Sequence, residues 1–299
     1  MNTKTMLLAM TALLGLSACS SDADEPRSAA DGRVPILLSA SPQVTRAGQG
    51  IQNQHFDLGE EFDVQITAQN GRTTYDQLAY YISDADNGSA TPKKGVYPYY
   101  PTDKSPVNIV AVYPTGYMKL GEFSVQNPQD TKDAYKKSDL MLATLADVAT
   151  PDTETTHELN FKHMLCKVQV NLTGEGGVNL DGSLVTLIGV KTQTSFNAKT
   201  GTVSATGQGT NTDILMSKDG SVPCAAVVVP QSVPSGYLLQ IVLANNDILN
   251  YRTVQSTVYE SGKVYTYNVK VIESDITVST TVSDWDYDAD TDTEEYARM

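Results

Sequence analysis

Histidine and cysteine, the residues that most often carry catalytic or metal chemistry, are few and widely spaced in this sequence. The histidines are His55, His157 and His163. His157 and His163 are six residues apart in a stretch that reads as a strand, so they would lie about 20 Å apart and share no metal ion. Cys166 and Cys224 lie in apolar stretches, where they form either a disulfide or two separate buried thiols. We therefore expect structural roles for these residues and no metal or cofactor.

Sequence motifs of the common enzyme classes are also missing. The chain has no G-x-S-x-G turn, phosphate-binding loop, dinucleotide-binding glycine pattern or H-E-x-x-H helix. Residues 284–295 place carboxylates at the spacing of an EF-hand loop, but Ala289 stands where that loop needs glycine. Asp and Glu outnumber Lys and Arg by 35 to 21, and an acidic surface repels nucleic acid. The sequence thus favours a protein that is not an enzyme and has no nucleic-acid partner.

The first residues indicate export to a membrane surface. A short apolar stretch ends in Leu16-Ser17-Ala18-Cys19, which resembles the lipobox of bacterial lipoproteins. We expect residues 1–18 to be a lipoprotein signal peptide and Cys19 to carry the lipid anchor. An ordinary secretory signal, cut after Ala18, is the alternative. Residues 19–33 are small and polar, which is typical of a tether.

Period-two alternation dominates the rest of the chain and predicts an all-β fold. In residues 61–68, for example, Phe62, Val64 and Ile66 share one face of a strand. About a dozen such strands would suffice for two β-sandwiches in tandem. We expect the junction near the polar run 152–156, with an N-terminal sandwich over residues 34–155 and a C-terminal sandwich and extension over residues 156–299.

Aromatic residues are concentrated in the segment VYPYYP, residues 96–101. Such a segment either forms a platform that binds sugars or packs against an edge of the sheet, where its prolines are tolerated. The sequence leaves both readings open.

Several blocks, in this order along the chain, resemble the fimbrillin family of the Bacteroidia, the subunits of type V pili. The blocks are LSAC (16–19), VTRAG (44–48), NIVAVYP (108–114), YKKSDLMLA (135–143), LNFKHMLCKVQVNL (159–172), VVVPQ (227–231), GKVYTYNVKV (262–271) and VSDWD (282–286). The resemblance implies two tandem transthyretin-like β-sandwiches and passage to the outer membrane as a lipoprotein precursor.

The resemblance also implies processing by an arginine-specific protease and assembly by strand exchange. The matching cleavage site is Arg46, before Ala47. The cut would make residues 34–46 removable, and a strand from another subunit would then fill the vacated groove. The residues expected to leave the groove are Val34, Ile36, Leu37 and Leu38.

In this family the donated strand comes from the C-terminal region. The candidates here are Ile276, Val278, Val282 and Trp285, which alternate with polar residues up to the tryptophan. The same stretch could instead be the last strand of the C-terminal domain, with an acidic extension beyond it.

Our leading hypothesis is therefore a stalk or tip subunit of a cell-surface fimbria that supports adhesion. Its partners would be other copies or related pilus subunits, the protease, and the outer membrane before processing. A host or bacterial surface ligand is a further possible partner. The alternative is an outer-membrane surface lipoprotein that does not polymerise and binds a glycan or a host protein.

Overall fold

Strands make up nearly all of the regular structure in this computed structural model, which describes residues 33–43, 55–72, 74–119, 121–216, 224–272 and 275–285. The strands are β1 Leu37–Pro42, β2 Glu61–Ala68, β3 Thr74–Asp84, β4 Ser89–Pro92, β5 Val107–Tyr113, β6 Glu122–Ser124, β7 Met141–Val148, β8 Thr156–His163, β9 Cys166–Glu175, β10 Leu184–Val190, β11 Gln193–Asn197, β12 Thr202–Val203, β13 Thr212–Leu215, β14 Cys224–Val228, β15 Gln231–Val233, β16 Gly236–Val242, β17 Ile248–Thr253, β18 Thr257–Tyr259, β19 Lys263–Ile272 and β20 Asp275–Asp284. One helix, α1 Lys132–Ser138, completes the elements of the described ranges. The all-β prediction is confirmed.

The first sheet has seven strands in the order β1-β4-β3-β2-β5-β7-β8 and closes on itself. Alternation along its strands directs every second side chain inward, as in β2, where Phe62, Val64 and Ile66 are fully buried. These side chains form the first hydrophobic core together with residues of β1 and β8. The packing of this core therefore depends directly on the first strand of the described chain.

A second core lies between two further four-stranded sheets. Their orders are β14-β9-β19-β20 and β13-β10-β16-β17, and two smaller sheets consist of β12-β11-β6 and β15-β18. Fully buried residues such as Val168, Leu187 and Ile241 fill the space between them. β20 is the outermost strand of its sheet and pairs with β19 along its whole length.

The two cores do not divide the chain at a single point. β8 pairs in parallel with β1, and its Leu159 and Phe161 are buried in the first core. Conversely, Phe123 and Tyr135 belong to the first half of the chain but pack in the second core. Residues from both halves of the chain thus contribute to both cores. The tandem arrangement of two domains, with a junction near residues 155 and 156, stays a prediction.

Helix α1 begins after Thr131, whose hydroxyl accepts a hydrogen bond from the Ala134 amide at 3.2 Å. This N-cap satisfies one of the donors that every helix leaves open at its start. The helix buries Tyr135 against the second core. None of the described helical structure is long and apolar enough to cross a membrane.

Candidate functional site

The first strand occupies a slot with a partner on each side. β1 pairs in parallel with β8 from Leu37↔Thr156 to Pro42↔Phe161, and in antiparallel fashion with β4 at Leu38↔Ala90 and Ser39↔Ser89. Two backbone bonds extend this pairing, from the Ala40 amide to the Gly88 carbonyl at 2.8 Å and from the Gln43 amide to the Phe161 carbonyl at 2.7 Å. Removal of β1 would therefore leave backbone groups without partners on both walls of the slot.

The side chains of residues 34–40 face two ways. Ile36 is fully buried, and Leu38 and Ala40 are each 2% exposed, so this face belongs to the first core. Val34 and Leu37 are half-buried, with Leu37 on the opposite face of the strand. Loss of the strand would thus open an apolar trench where Ile36 and Leu38 now pack.

The tyrosine-rich segment holds the chain that leads into β1. The Ile36 amide donates to the Pro98 carbonyl at 2.8 Å, and the Tyr100 amide donates to the Val34 carbonyl at 3.0 Å. The Arg33 guanidinium lies 4.5 Å from the centre of the Tyr99 ring. These contacts are those of a segment that packs against the sheet, which is the second of the two interpretations of residues 96–101.

Gly88 allows β1 to approach the turn before β4 closely. Its φ of +70° is readily adopted by glycine, and a Cβ at this position would lie 2.5 Å from the Ala40 carbonyl oxygen. That oxygen is backbone and has little freedom to move away. Any strand that replaces β1 in this register meets the same requirement.

The chain that follows the predicted cleavage site is held by a charged cluster. The ammonium group of Lys136, on α1, contacts Asp57 and lies 2.8 Å from Glu60 Oε1. Its hydrogen bond to Asp57 lowers the pKa of that carboxyl to about 2, although partial burial acts in the opposite direction. Residues from 57 onward are thus tied to α1 independently of β1, and cleavage before them would leave this attachment in place.

The C-terminal candidates lie on the edge strand. In β20, Ile276 and Val278 are half-buried against the second core, whereas Val282 is 56% exposed. Trp285 is fully buried, and its ring stacks on His163 with centroids 4.0 Å apart and planes 6° from parallel. The sequence left two interpretations of this stretch open. The structure agrees with the one in which it is the last strand, because Ile276, Val278 and Val282 lie in β20 and pair with β19.

A buried polar cluster lies beneath Trp285. His163 Nδ1 is 2.9 Å from Asp139 Oδ1, and both side chains are inaccessible to solvent. The Lys167 side chain is also buried, and its Nζ has no hydrogen-bond partner among the described residues. Burial lowers the pKa of Lys167 to about 8, while the charge of Asp139 acts in the opposite direction. Trp285 therefore closes this cluster off from water.

His157 and His163 contact different side chains, and residues 286–295 of the EF-hand-spaced segment lie outside the described residues. His157 contacts Tyr100 and His163 contacts Asp139, and no cluster of metal-ligating side chains occurs in the described ranges. Cys166 and Cys224 are buried and form no disulfide in the described part of the chain. Cys19, Arg46 and Ala47 lie outside the described residues.

Two features of this site escaped the sequence interpretation. One is the pairing of Gly88 with Ala40, which joins positions 48 residues apart by number. The other is helix α1 with Lys136, whose start is marked in the sequence by Thr131 as N-cap and by the acidic Asp133 in the first turn. The first left no local signal, because pairing over such a distance depends on the whole sheet.

Comparison with known proteins agrees with this architecture. The family model described as fimbrillin-like matches residues 45–285. A protein of Bacteroides uniformis named "Putative fimbrium subunit Fim1C" is 26% identical, with 95% of this chain and 96% of that protein aligned.

Two solved structures share the fold. One, a "putative cell adhesion protein" from Bacteroides uniformis, has a TM-score of 0.65 and 22% identity over 84% of this chain and 99% of its own. Another of the same description, from Bacteroides ovatus, has a TM-score of 0.62 and 18% identity over 86% of this chain and 99% of its own. Because the family model covers most of the sequence, the chain belongs to the fimbrillin-like family.

Proposed function

We propose that this chain is a structural subunit of a cell-surface fimbria and that it assembles by replacing β1 with a strand from a neighbouring subunit. The observation that supports this most directly is the position of β1, which is the first described strand and pairs with β4 and β8. A strand in this position can leave without breaking the chain that forms the rest of the sheet. Its departure creates a slot that only another extended segment can fill completely.

The energetics suit a durable joint. Ile36 and Leu38 are buried, and full burial of such side chains contributes about 1.5–3 kcal/mol each. Backbone pairing further stabilises the bound strand, because amide and carbonyl groups that are shielded from water and lack a hydrogen-bond partner raise the free energy. A donor that supplied similar anchors in the register of β1 would therefore be held tightly. The contact is head-to-tail, so its repetition gives a filament.

The release of β1 requires processing, and we assign it to an arginine-specific protease that cuts between Arg46 and Ala47. Before that cut, Cys19 would carry lipid and hold the precursor at the outer membrane. The last described residue of the β1 segment, Gln43, still bonds to Phe161, and Arg46 follows three positions later in the sequence. The interactions of Lys136 with Asp57 and Glu60 would keep the new N-terminal segment attached to the body.

For the donor we propose the C-terminal region around Ile276, Val278, Val282 and Trp285. β20 is an edge strand, so its departure breaks the pairing with β19 alone. Most of its side chains are exposed, and Trp285 is its only fully buried neighbour in the described C-terminal segment. The stacking of Trp285 on His163 would then be the main side-chain interaction that breaks when the strand is donated.

The proposal is tested by treating the purified chain with an arginine-specific protease. We expect a new N-terminus at Ala47, followed by ladders of oligomers that resist SDS. An Arg46→Lys variant should remain uncleaved at this position and monomeric under the same conditions. A chain that is cut after Arg46 and stays monomeric would contradict assembly by strand exchange.

A further inference from the structure

A groove separates two neighbouring strands of the first sheet. β7 and β8 run antiparallel, but they pair only at Met141↔His163 and Leu142↔Lys162. No further pairs join the two strands in the described part of the chain, and residues of both strands line a cavity of about 750 Å³ together with residues 108–110 and 199–201. The edge of β7 that faces β8 therefore has no partner strand from residue 143 onward among the described residues. We call this space the β7–β8 groove.

The β7–β8 groove has an apolar interior and basic margins. The apolar residues of its lining include Val110, Leu145 and Met164, and the basic residues are Lys162 and Lys199. No acidic side chain occurs among the described residues of the lining. Neither lysine makes an ion pair within the described ranges, although the charge of Lys199 reaches Asp76 at longer distance. In a protein of formal net charge -14, a groove lined by two lysines and by no described acidic side chain attracts an acidic segment.

The C-terminal strand delivers the chain close to this groove. The Trp285 amide donates to the Gly262 carbonyl at 2.7 Å, and the hydroxyl of the preceding Ser261 donates to the Met164 carbonyl at 2.6 Å. Met164 itself lines the groove. Residue 286 therefore follows from a point beside the end of the groove where β7 and β8 are still paired.

The next ten residues have the pattern of a strand with one acidic face. In residues 286–295 (DYDADTDTEE) carboxylates alternate with tyrosine, alanine and threonine as far as Glu294. Ten extended residues span about 33 Å, which exceeds the length of β7. We call residues 286–295 the acidic segment.

We propose that the acidic segment binds in the β7–β8 groove of its own chain as an added strand. Starting beside Met164, it runs parallel to β7 and bonds to the backbone that β8 leaves unpaired. Its carboxylates contact Lys162 and Lys199, and the face with Tyr287 and Ala289 lies against the apolar interior. Asp147, near the end of β7, repels further carboxylates, so contact is confined to the first half of the segment. This inference does not depend on the proposed strand exchange.

The test is hydrogen exchange at the amides of residues 143–146, measured on the chain from residue 20 to Met299 and on a chain that ends at Trp285. We expect exchange about fivefold slower with the acidic segment present, the size that two exposed ion pairs support. The protection should fall in 1 M salt. It should also disappear in the double variant Lys162→Glu and Lys199→Glu.

A matched control and a rescue separate this site from a general charge effect. The double variant Lys94→Glu and Lys104→Glu makes the same change of charge at exposed positions elsewhere and should keep the protection. Replacing Asp286, Asp288 and Asp290 by lysine should restore protection to the Lys162→Glu and Lys199→Glu variant. Equal exchange with and without the acidic segment would overturn the proposal. Protection that grows with protein concentration would also overturn it, since a second copy would then be the occupant.

Discussion

Leu38 and Leu37 offer a matched pair for measuring how firmly the first strand is held. They are neighbours on β1 and chemically identical, but Leu38 is 2% exposed in the first core and Leu37 is half-buried on the other face. Replacing Leu38 by alanine removes buried methyl groups and leaves a cavity, which costs about 3 kcal/mol. The Leu37→Ala change removes the same atoms from a partly exposed site and should cost about 1 kcal/mol.

The assay is urea unfolding of the chain from residue 20 onward, monitored for the first sheet by exchange of its amides. The difference of about 2 kcal/mol between the two variants isolates the inward face of β1, because backbone pairing is the same in both. The Leu38→Ala variant should also release β1 faster after cleavage at Arg46, since the removed methyl groups are among those that hold the strand in its slot. Equal destabilisation by the two changes would refute the view that one face of β1 is its anchor.

Three further predictions concern single interactions. Gly88→Ala places a Cβ against the Ala40 carbonyl and should lower the free energy of unfolding by about 2 kcal/mol more than Gly59→Ala does. Gly59 is the control because its φ is also positive but its surroundings are open. Equal losses of stability in urea unfolding would contradict this prediction. Because the pKa of Lys167 is lowered to about 8 in the folded chain, the unfolded chain binds more protons between pH 8 and 10, and stability should rise by about 2 kcal/mol from pH 7.5 to 9.5. The Lys167→Met variant should lack that rise. Trp285→Ala should destabilise the second core by about 3–5 kcal/mol and increase amide exchange in β20, whereas unchanged exchange there would show that the ring does not hold the strand.

The strands were largely predictable, because alternation of apolar and polar residues is a local property of the sequence. The stretch at residues 61–68, for example, becomes β2 with the same bounds. Residues 159–172, one of the blocks that carry the family resemblance, contain parts of both β8 and β9, which belong to different sheets. Periodicity shows which face of a strand is apolar, but it does not show which core that face enters.

The candidate site was predictable only in part. The burial of Ile36 and Leu38 follows from their hydrophobicity and spacing, and the structure places both in the first core. The identity of the walls, β4 and β8, depends on pairing between distant parts of the chain and has no local signal. Helix α1 was missed because its seven residues are too short for a clear helical period. Its charged interactions with Asp57 and Glu60 were missed with it.

Hydrogen exchange at the two walls of the slot measures the fate of β1 most directly. The amides of β4 and of residues 156–161 in β8 would be followed in the intact chain, in the cleaved monomer and in the polymer. We predict protection in the intact chain, loss of protection after β1 leaves, and its return on polymerisation as a strand from another subunit pairs with both walls. Walls that stay protected in the cleaved monomer, or that remain unprotected in the polymer, would contradict the replacement of β1 by a donated strand.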